Sequence, residues 1–328
     1  MLFILRRLVF YLVTAWVALT INFFIPRLMP GNAVQSIMSK FPNLQPSAYQ
    51  ALEAMLGVGH PGSIWHQYTA YVVDVFHFNF GTDVTEYPAQ VSTLLGESIP
   101  WTVALVGTAT VIAFVIGTGL GIAAGWRHGG ALDRVLPGLM TLQAIPYFFF
   151  ALILIELFAV RLHVFPIGQG YAEGQVPGWN WSFIGSAVYH SLLPALTIIL
   201  TSIAGWMLQM RNVMITTVGE DYVIAAQAKG LPSHRVVFTY AARNAILPQL
   251  QGFGLAIGFV VSGALVMEIV FSYPGIGLLL LNAVTSNDYP LMQAIFLVIT
   301  FAVLLANMVV DLIIVFVDPR ARAGEVAR

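Results

Sequence analysis

Apolar residues along the chain gather into six long runs separated by polar, glycine-rich or proline-rich stretches. The runs are Leu8 to Ile25, Trp101 to Trp126, Val135 to Val160, Leu192 to Met210, Leu250 to Phe271 and Leu291 to Val317, and none contains a lysine or arginine. About 20 apolar residues in a helix suffice to cross the hydrocarbon of a bilayer, so each run predicts a membrane-spanning helix. The second, third and sixth are long enough to tilt or project beyond it. The fold class expected is an all-α polytopic membrane protein with six transmembrane helices.

Composition supports lipid as the solvent. Of 328 residues, 58% are hydrophobic and only 9% charged, with mean hydropathy +0.82; soluble domains carry roughly a quarter charged residues. The net charge of −1 gives no reason to expect a nucleic-acid partner, and the absence of cysteine excludes disulfides and thiolate metal sites. The first run exceeds the usual length of a signal-peptide core and no small-x-small site follows it, so it is read as a retained helix.

The distribution of charge sets the orientation. With the N-terminus inside, the inner segments hold Arg6, Arg7, Arg127, Arg134, Arg211, Lys229, Arg235, Arg243, Arg320, Arg322 and Arg328, and the outer ones only Arg27, Lys40 and Arg161. By the positive-inside rule both termini are cytoplasmic. The organisation expected is a first span over 1–26, an outer region over 27–100, a core over 101–317 and a cytoplasmic tail over 318–328. Within the outer region SAYQALEAMLG and IWHQYTAYVVDVF read as helical pieces, and FNFGTD as a turn.

Residues 214–248 interrupt the fourth and fifth spans with a basic, helix-prone insert on the inner side. Its first half, Thr217 to Lys229, carries Glu220 and Asp221 where a helix N-terminus favours anions, then a patch of small residues that includes Ala225 and Ala226, and Gly230 as a stop. Its second half, Ser233 to Leu247, has Ser233 as a possible cap and ends before Pro248. Helix, glycine hinge and helix make an L-shaped element. Connections of this length usually carry function, here a docking element in preference to a plain link.

Three acids fall within spans: Glu156, near Arg161; Glu268, just before the SerTyrProGly turn; and Asp311, within reach of Arg211 or Arg243. Acids at bilayer depth are functional candidates by default, but all three can reach an interface or a partner, so helix-end pairing is favoured over ion coupling. Gly117, Gly119, Gly121 and Gly125 mark a face for close helix contact, with Gly117 and Gly121 forming GxxxG. Pro146 predicts a kink in the third span. The seven histidines are scattered, with no metal-ligand spacing, and the two lysines, Lys40 and Lys229, fit no phosphate-binding loop.

GEDYVIAAQAKGL followed by ARNAILP resembles the cytoplasmic coupling loop of inner-membrane permease subunits of the dipeptide/oligopeptide/nickel ABC importers. RLMPGN, GWRHGGALDRVL, MEIVFSYPGIG, NDYPLMQ and the terminal VDPRAR resemble further motifs of that family in the same order. Ile224 and Gln227 depart from its usual glutamate and arginine. The resemblance implies a non-catalytic subunit of the bacterial inner membrane, without cofactor, forming half a pathway for short peptides. The implied partners are a second homologous permease, two cytoplasmic ATP-binding subunits, an extracytoplasmic solute-binding protein and membrane lipid.

It also implies that the insert docks on the ATPase. Ala225, Ala226 and Gly230 would make close contact, and Glu220, Asp221, Lys229, Arg235 and Arg243 a polar rim. Asn244 and Pro248 would fix the return into the fifth span. Glu268 would act at the outer gate, and Asp311 with Arg211 would form an inner ion pair. Alternatives are the same machinery importing oligosaccharides or nickel complexes, and a stand-alone ion-coupled transporter, which would need a midplane ion site.

Overall fold

The structure, a computed structural model, describes residues 2–28, 63–83, 88–258, 260 and 264–317. The helical piece expected over SAYQALEAMLG and the tail over 318–328 lie outside these residues. Among the described residues the chain is helical, and its only bridge of β type joins Thr82 to Gln90. Helix α1 is Leu2–Leu28, α2 Ile64–Phe76 and α3 Val91–Trp126. Helices α4 and α5, Ala131–Ala144 and Tyr147–Arg161, form a bent pair, and α6 is Trp181–Val218. After α7, Asp221–Ala228, comes α8 over 233–258, followed by α9 Leu265–Val270, α10 Ile276–Ser286 and α11 Tyr289–Val317.

Four helices are long and apolar enough to cross a membrane, or five if the bent pair counts as one span. The expected count of six is therefore not reached among the described residues. The run Leu250 to Phe271 is not one helix, because α8 ends at Gly258 and α9 begins at Leu265. The third run bends by 97° between α4 and α5. Proline lacks an amide hydrogen and pushes the preceding residue toward extended backbone. Ile145 (ψ 126°) and Pro146 (ψ 130°) are both extended, and the kink expected from Pro146 is a break.

Other helices outrun their apolar runs. Helix α3 starts ten residues before Trp101 and passes through Pro100, after which Val103–Gly107 widens into a π-type turn. Such local widening re-pairs backbone groups that a proline frees. Helix α6 has 38 residues, a length of roughly 57 Å at 1.5 Å per residue, far beyond the hydrocarbon thickness. Its C-terminal turns carry the structure out to the insert.

The closest helix contact pairs α3 with α6. Gly117, Gly121 and Gly125 recur at four-residue spacing on one buried face of α3. A β-carbon at Gly117 would lie 2.6 Å from Trp206 Cβ, and one at Gly121 would lie 2.6 Å from the Met207 carbonyl oxygen. Small residues at this spacing let helix backbones approach closely where lipid supplies no hydrophobic drive. Gly119 points elsewhere, with nothing near its missing side chain.

Polar groups join α1 to α11. Asn22 Nδ2 donates to the Gln293 carbonyl at 2.8 Å, and Gln293 Nε2 donates to the Asn22 carbonyl at 3.2 Å. Toward the start of α1, Arg7 pairs with Asp311, which also accepts from the Tyr11 hydroxyl at 2.6 Å. The expected Asp311–Arg211 pair is thus replaced. Asp311 faces α1, which no spacing along the chain reveals.

Candidate coupling elbow and outer turn

The insert folds as the expected elbow, built by a specific helix stop. The Leu231 amide donates to the Ala226 carbonyl at 3.4 Å, and the Gly230 amide to the Gln227 carbonyl at 2.9 Å. These two bonds with Gly230 at φ +71° are the glycine C-terminal motif of α-helices. Leu231 packs back onto the cluster that holds Ala226, and Pro232 follows. Pro232, in place of the expected Ser233, caps α8, its carbonyl accepting from the Arg235 amide at 2.9 Å.

Two faces of the elbow separate cleanly. Val223 and Ala226, three residues apart, are buried against Met210, Met214, Val236, Ala241, Ala242 and Ala245. The exposed side presents Tyr222, Ile224, Ala225, Gln227, Ala228, Lys229 and Gly230, with Glu220 and Asp221 at its start. Ala226 therefore belongs to the inner seam, and the expectation that it contacts a partner is corrected. Its small side chain lets α7 lie close on α6.

Helix α8 is widened over Val236–Ala242. The buried pairs Val236 and Val237, Ala241 and Ala242 repeat at five residues, the π-type spacing, so both pairs face inward. Arg235, Arg243, Asn244 and Pro248 are exposed, and the Asn244 amide donates to the Tyr240 carbonyl at 3.1 Å. The helix does not end before Pro248 as expected; it runs through it to Gly258. One rigid helix thus joins the elbow to the bundle.

At the root of the elbow, Arg211 is held by Asp133, whose second oxygen receives Nη2 at 3.0 Å. Asp133 also accepts from the Gly129 amide at 2.8 Å and faces His128 Nδ1 at 2.9 Å. Asp133 ties the α3–α4 turn to α6. It was not singled out from the sequence, although it is the one acid in the otherwise basic GWRHGGALDRVL stretch.

At the opposite end, Glu268 is fully buried and accepts from the Gly277 amide at 2.5 Å. A β-carbon at Gly277 would lie 2.6 Å from the Leu265 backbone, so both glycines of the PGIG turn, Gly275 and Gly277, leave no room for a side chain. Thr102 of α3 accepts from the Ile276 amide at 2.9 Å. Gln169, from the α5–α6 connection, donates its amide to the Phe271 carbonyl at 2.8 Å. Tyr273 reaches Ser191 at 2.9 Å and meets Trp101 edge-on at 5.6 Å. The structure thus brings Glu268 together with three other elements into one packed turn. Asp288 starts α11, accepting from the Leu291 amide at 2.9 Å. Glu156 pairs with Arg161 at 2.9 Å on an exposed helix end.

A putative peptide permease of Brucella suis is 34% identical over 93% of this chain and 94% of its own. The dipeptide transport system permease DppB of Escherichia coli is 31% identical over 98% of both chains. The di/tripeptide transport system permease DppB of Pseudomonas aeruginosa is 32% identical over 98% of both. Residues 117–323 match the family described as binding-protein-dependent transport system inner membrane component, and the chain belongs to that family.

Proposed function

We propose that the chain is one of two permease subunits of an ATP-driven importer of short peptides. A second, similar permease completes the pathway, two cytoplasmic ATP-binding subunits dock beneath, and a solute-binding protein delivers peptide from outside. Both termini and the elbow lie in the cytoplasm. Peptide as cargo rests on the names of the relatives, and the basic bias of the elbow end supports the orientation.

The observation that carries this reading is the elbow. Its inner face is locked to α6 by Val223 and Ala226, while its outer face leaves Tyr222, Ile224, Ala225 and Lys229 exposed. An exposed face on a rigid two-helix unit can receive a push and hand it to α6 and α8 as a rigid-body movement.

Reconstitution tests the proposal. Proteoliposomes holding this chain, its partner permease and the ATPase subunits, supplied with loaded binding protein, import labelled dipeptide only with ATP. Uptake by this chain alone, driven by a proton or sodium gradient, would contradict it.

A further inference from the structure

Within the bundle, a strip of uncharged hydrogen-bonding side chains runs between the outer turn and the root of the elbow. A cavity of about 290 Å³ is lined by Thr110, Tyr147, Thr201 and Ser202 together with Ala256, Val260, Ala264 and Met267. Met267 is the neighbour of Glu268, so the cavity ends at the packed outer turn. Toward the elbow the strip continues with Gln143 and Gln209. The Gln143 amide lies across Gly205, where an added β-carbon would be 3.0 Å from Nε2, and Gln209 lies beside Gly252 at 3.6 Å. Ser202, Gly205 and Gln209 recur at three- and four-residue steps, so one face of α6 carries them. Gln209 is two residues from Arg211.

Polar side chains at this depth need a polar neighbour, because hydrocarbon offers no hydrogen bonds. Gln143 and Gln209 are exposed and Ser202 and Thr110 half-buried, and none of the four makes a hydrogen bond to another described residue. The exposed face of α5 is different in kind, since Phe149, Leu152 and Ile153 are apolar. No residue lining the cavity is charged.

We propose that this strip is one wall of the peptide pathway, and that it pairs with the peptide main chain while remaining blind to side-chain charge. This rests on the importer reading above. Amides and hydroxyls each donate or accept as needed, matching the alternating N–H and C=O groups of any peptide. A fixed charge here would instead favour one class of side chain and repel another. The neutral wall suits a cargo defined by its backbone. Its boundaries also fit, since it runs from the turn that closes the outside to the helix that the elbow moves.

The test uses the assembled complex in proteoliposomes and the absence of native cysteine. Ser202→Cys and Gln209→Cys react with a hydrophilic maleimide at least about tenfold faster than Ile153→Cys, and transported dipeptide slows that reaction. Gln143→Lys and Gln143→Glu shift the uptake ratio of cationic to anionic dipeptides in opposite directions, to values about tenfold apart, a difference worth about 1.4 kcal/mol. Strip cysteines as unreactive as Ile153→Cys would place the strip against the partner permease and overturn the proposal. An unchanged uptake ratio would overturn it equally, and the cysteine arm decides if the charged variants fail to assemble. Failure of the unsubstituted complex to import any peptide would instead sink the importer reading.

Discussion

The carboxylate of Glu268 and the amide of Gly277 are joined by a 2.5 Å hydrogen bond, which fastens the short helix α9 to the first turn of α10. The intervening turn carries Tyr273 and Pro274, and α3 and the α5–α6 connection reach into it through Thr102 and Gln169. The buried carboxyl group is held here by one backbone donor in the first turn of a helix.

Removing that acceptor leaves the Gly277 amide buried and unpaired. Glu268→Ala costs on the order of 1–3 kcal/mol, the range for leaving a buried donor without its acceptor. Glu268→Gln keeps an acceptor oxygen and costs less. Thermal unfolding in detergent ranks the two variants. If the turn held by Glu268 serves as the gate that the family resemblance implies, Glu268→Ala raises ATP hydrolysis in the assembled complex without binding protein. Equal stability and basal rate in both variants and the unsubstituted protein would return Glu268 to a bystander.

The α3–α6 contact makes opposite predictions for two glycines two residues apart. Gly121→Ala pushes a methyl to 2.6 Å from the Met207 carbonyl and destabilises by on the order of 1–3 kcal/mol through overpacking. Gly119→Ala meets open space and is neutral or slightly stabilising through helix propensity. Melting of the two single variants checks this, and a similar loss in both contradicts the assigned face.

Asp133 and Arg211 form a pair with side chains 10% and 18% exposed. Breaking the pair by Asp133→Asn or Arg211→Gln lowers the melting temperature, because each leaves a charge without its partner. The double variant recovers part of the loss, which a double-mutant cycle measures as a coupling energy. Additive losses would mean that the two residues act independently. Neutralising Asp311 leaves the Arg211 effect unchanged, since Asp311 pairs with Arg7.

Much of this architecture is legible in the chain before it folds. Apolar runs mark the four or five helical segments long enough to cross a membrane, Pro146 marks the break in the third run, and Gly117 with Gly121 marks a close helix contact. Gly230 marks the end of the first elbow helix because a left-handed residue there demands glycine. Other features are tertiary and leave no local trace. Hydropathy counts apolar residues but not backbone breaks, so Leu250 to Phe271 reads as one span where the chain forms two helices. Helix boundaries at Val91 and Trp181 lie in mixed sequence that packing, and not apolarity, makes helical. Partner choice among charges is likewise decided by the fold: Arg211 meets Asp133, Asp311 meets Arg7, and Ala226 turns inward while Ala225 faces out.

The elbow is the centre of the account, and the cysteine-free chain allows a direct measurement. Ala225→Cys and Val223→Cys sit on its exposed and buried faces. Each is combined with single cysteines on the ATP-binding subunit, and disulfide formation is followed with and without ATP. Rapid cross-linking of Ala225→Cys, its yield changing with ATP, and none from Val223→Cys, is the predicted outcome. Absence of cross-linking from Ala225→Cys in a complex that still imports peptide would contradict the claim that this elbow receives the force of ATP hydrolysis.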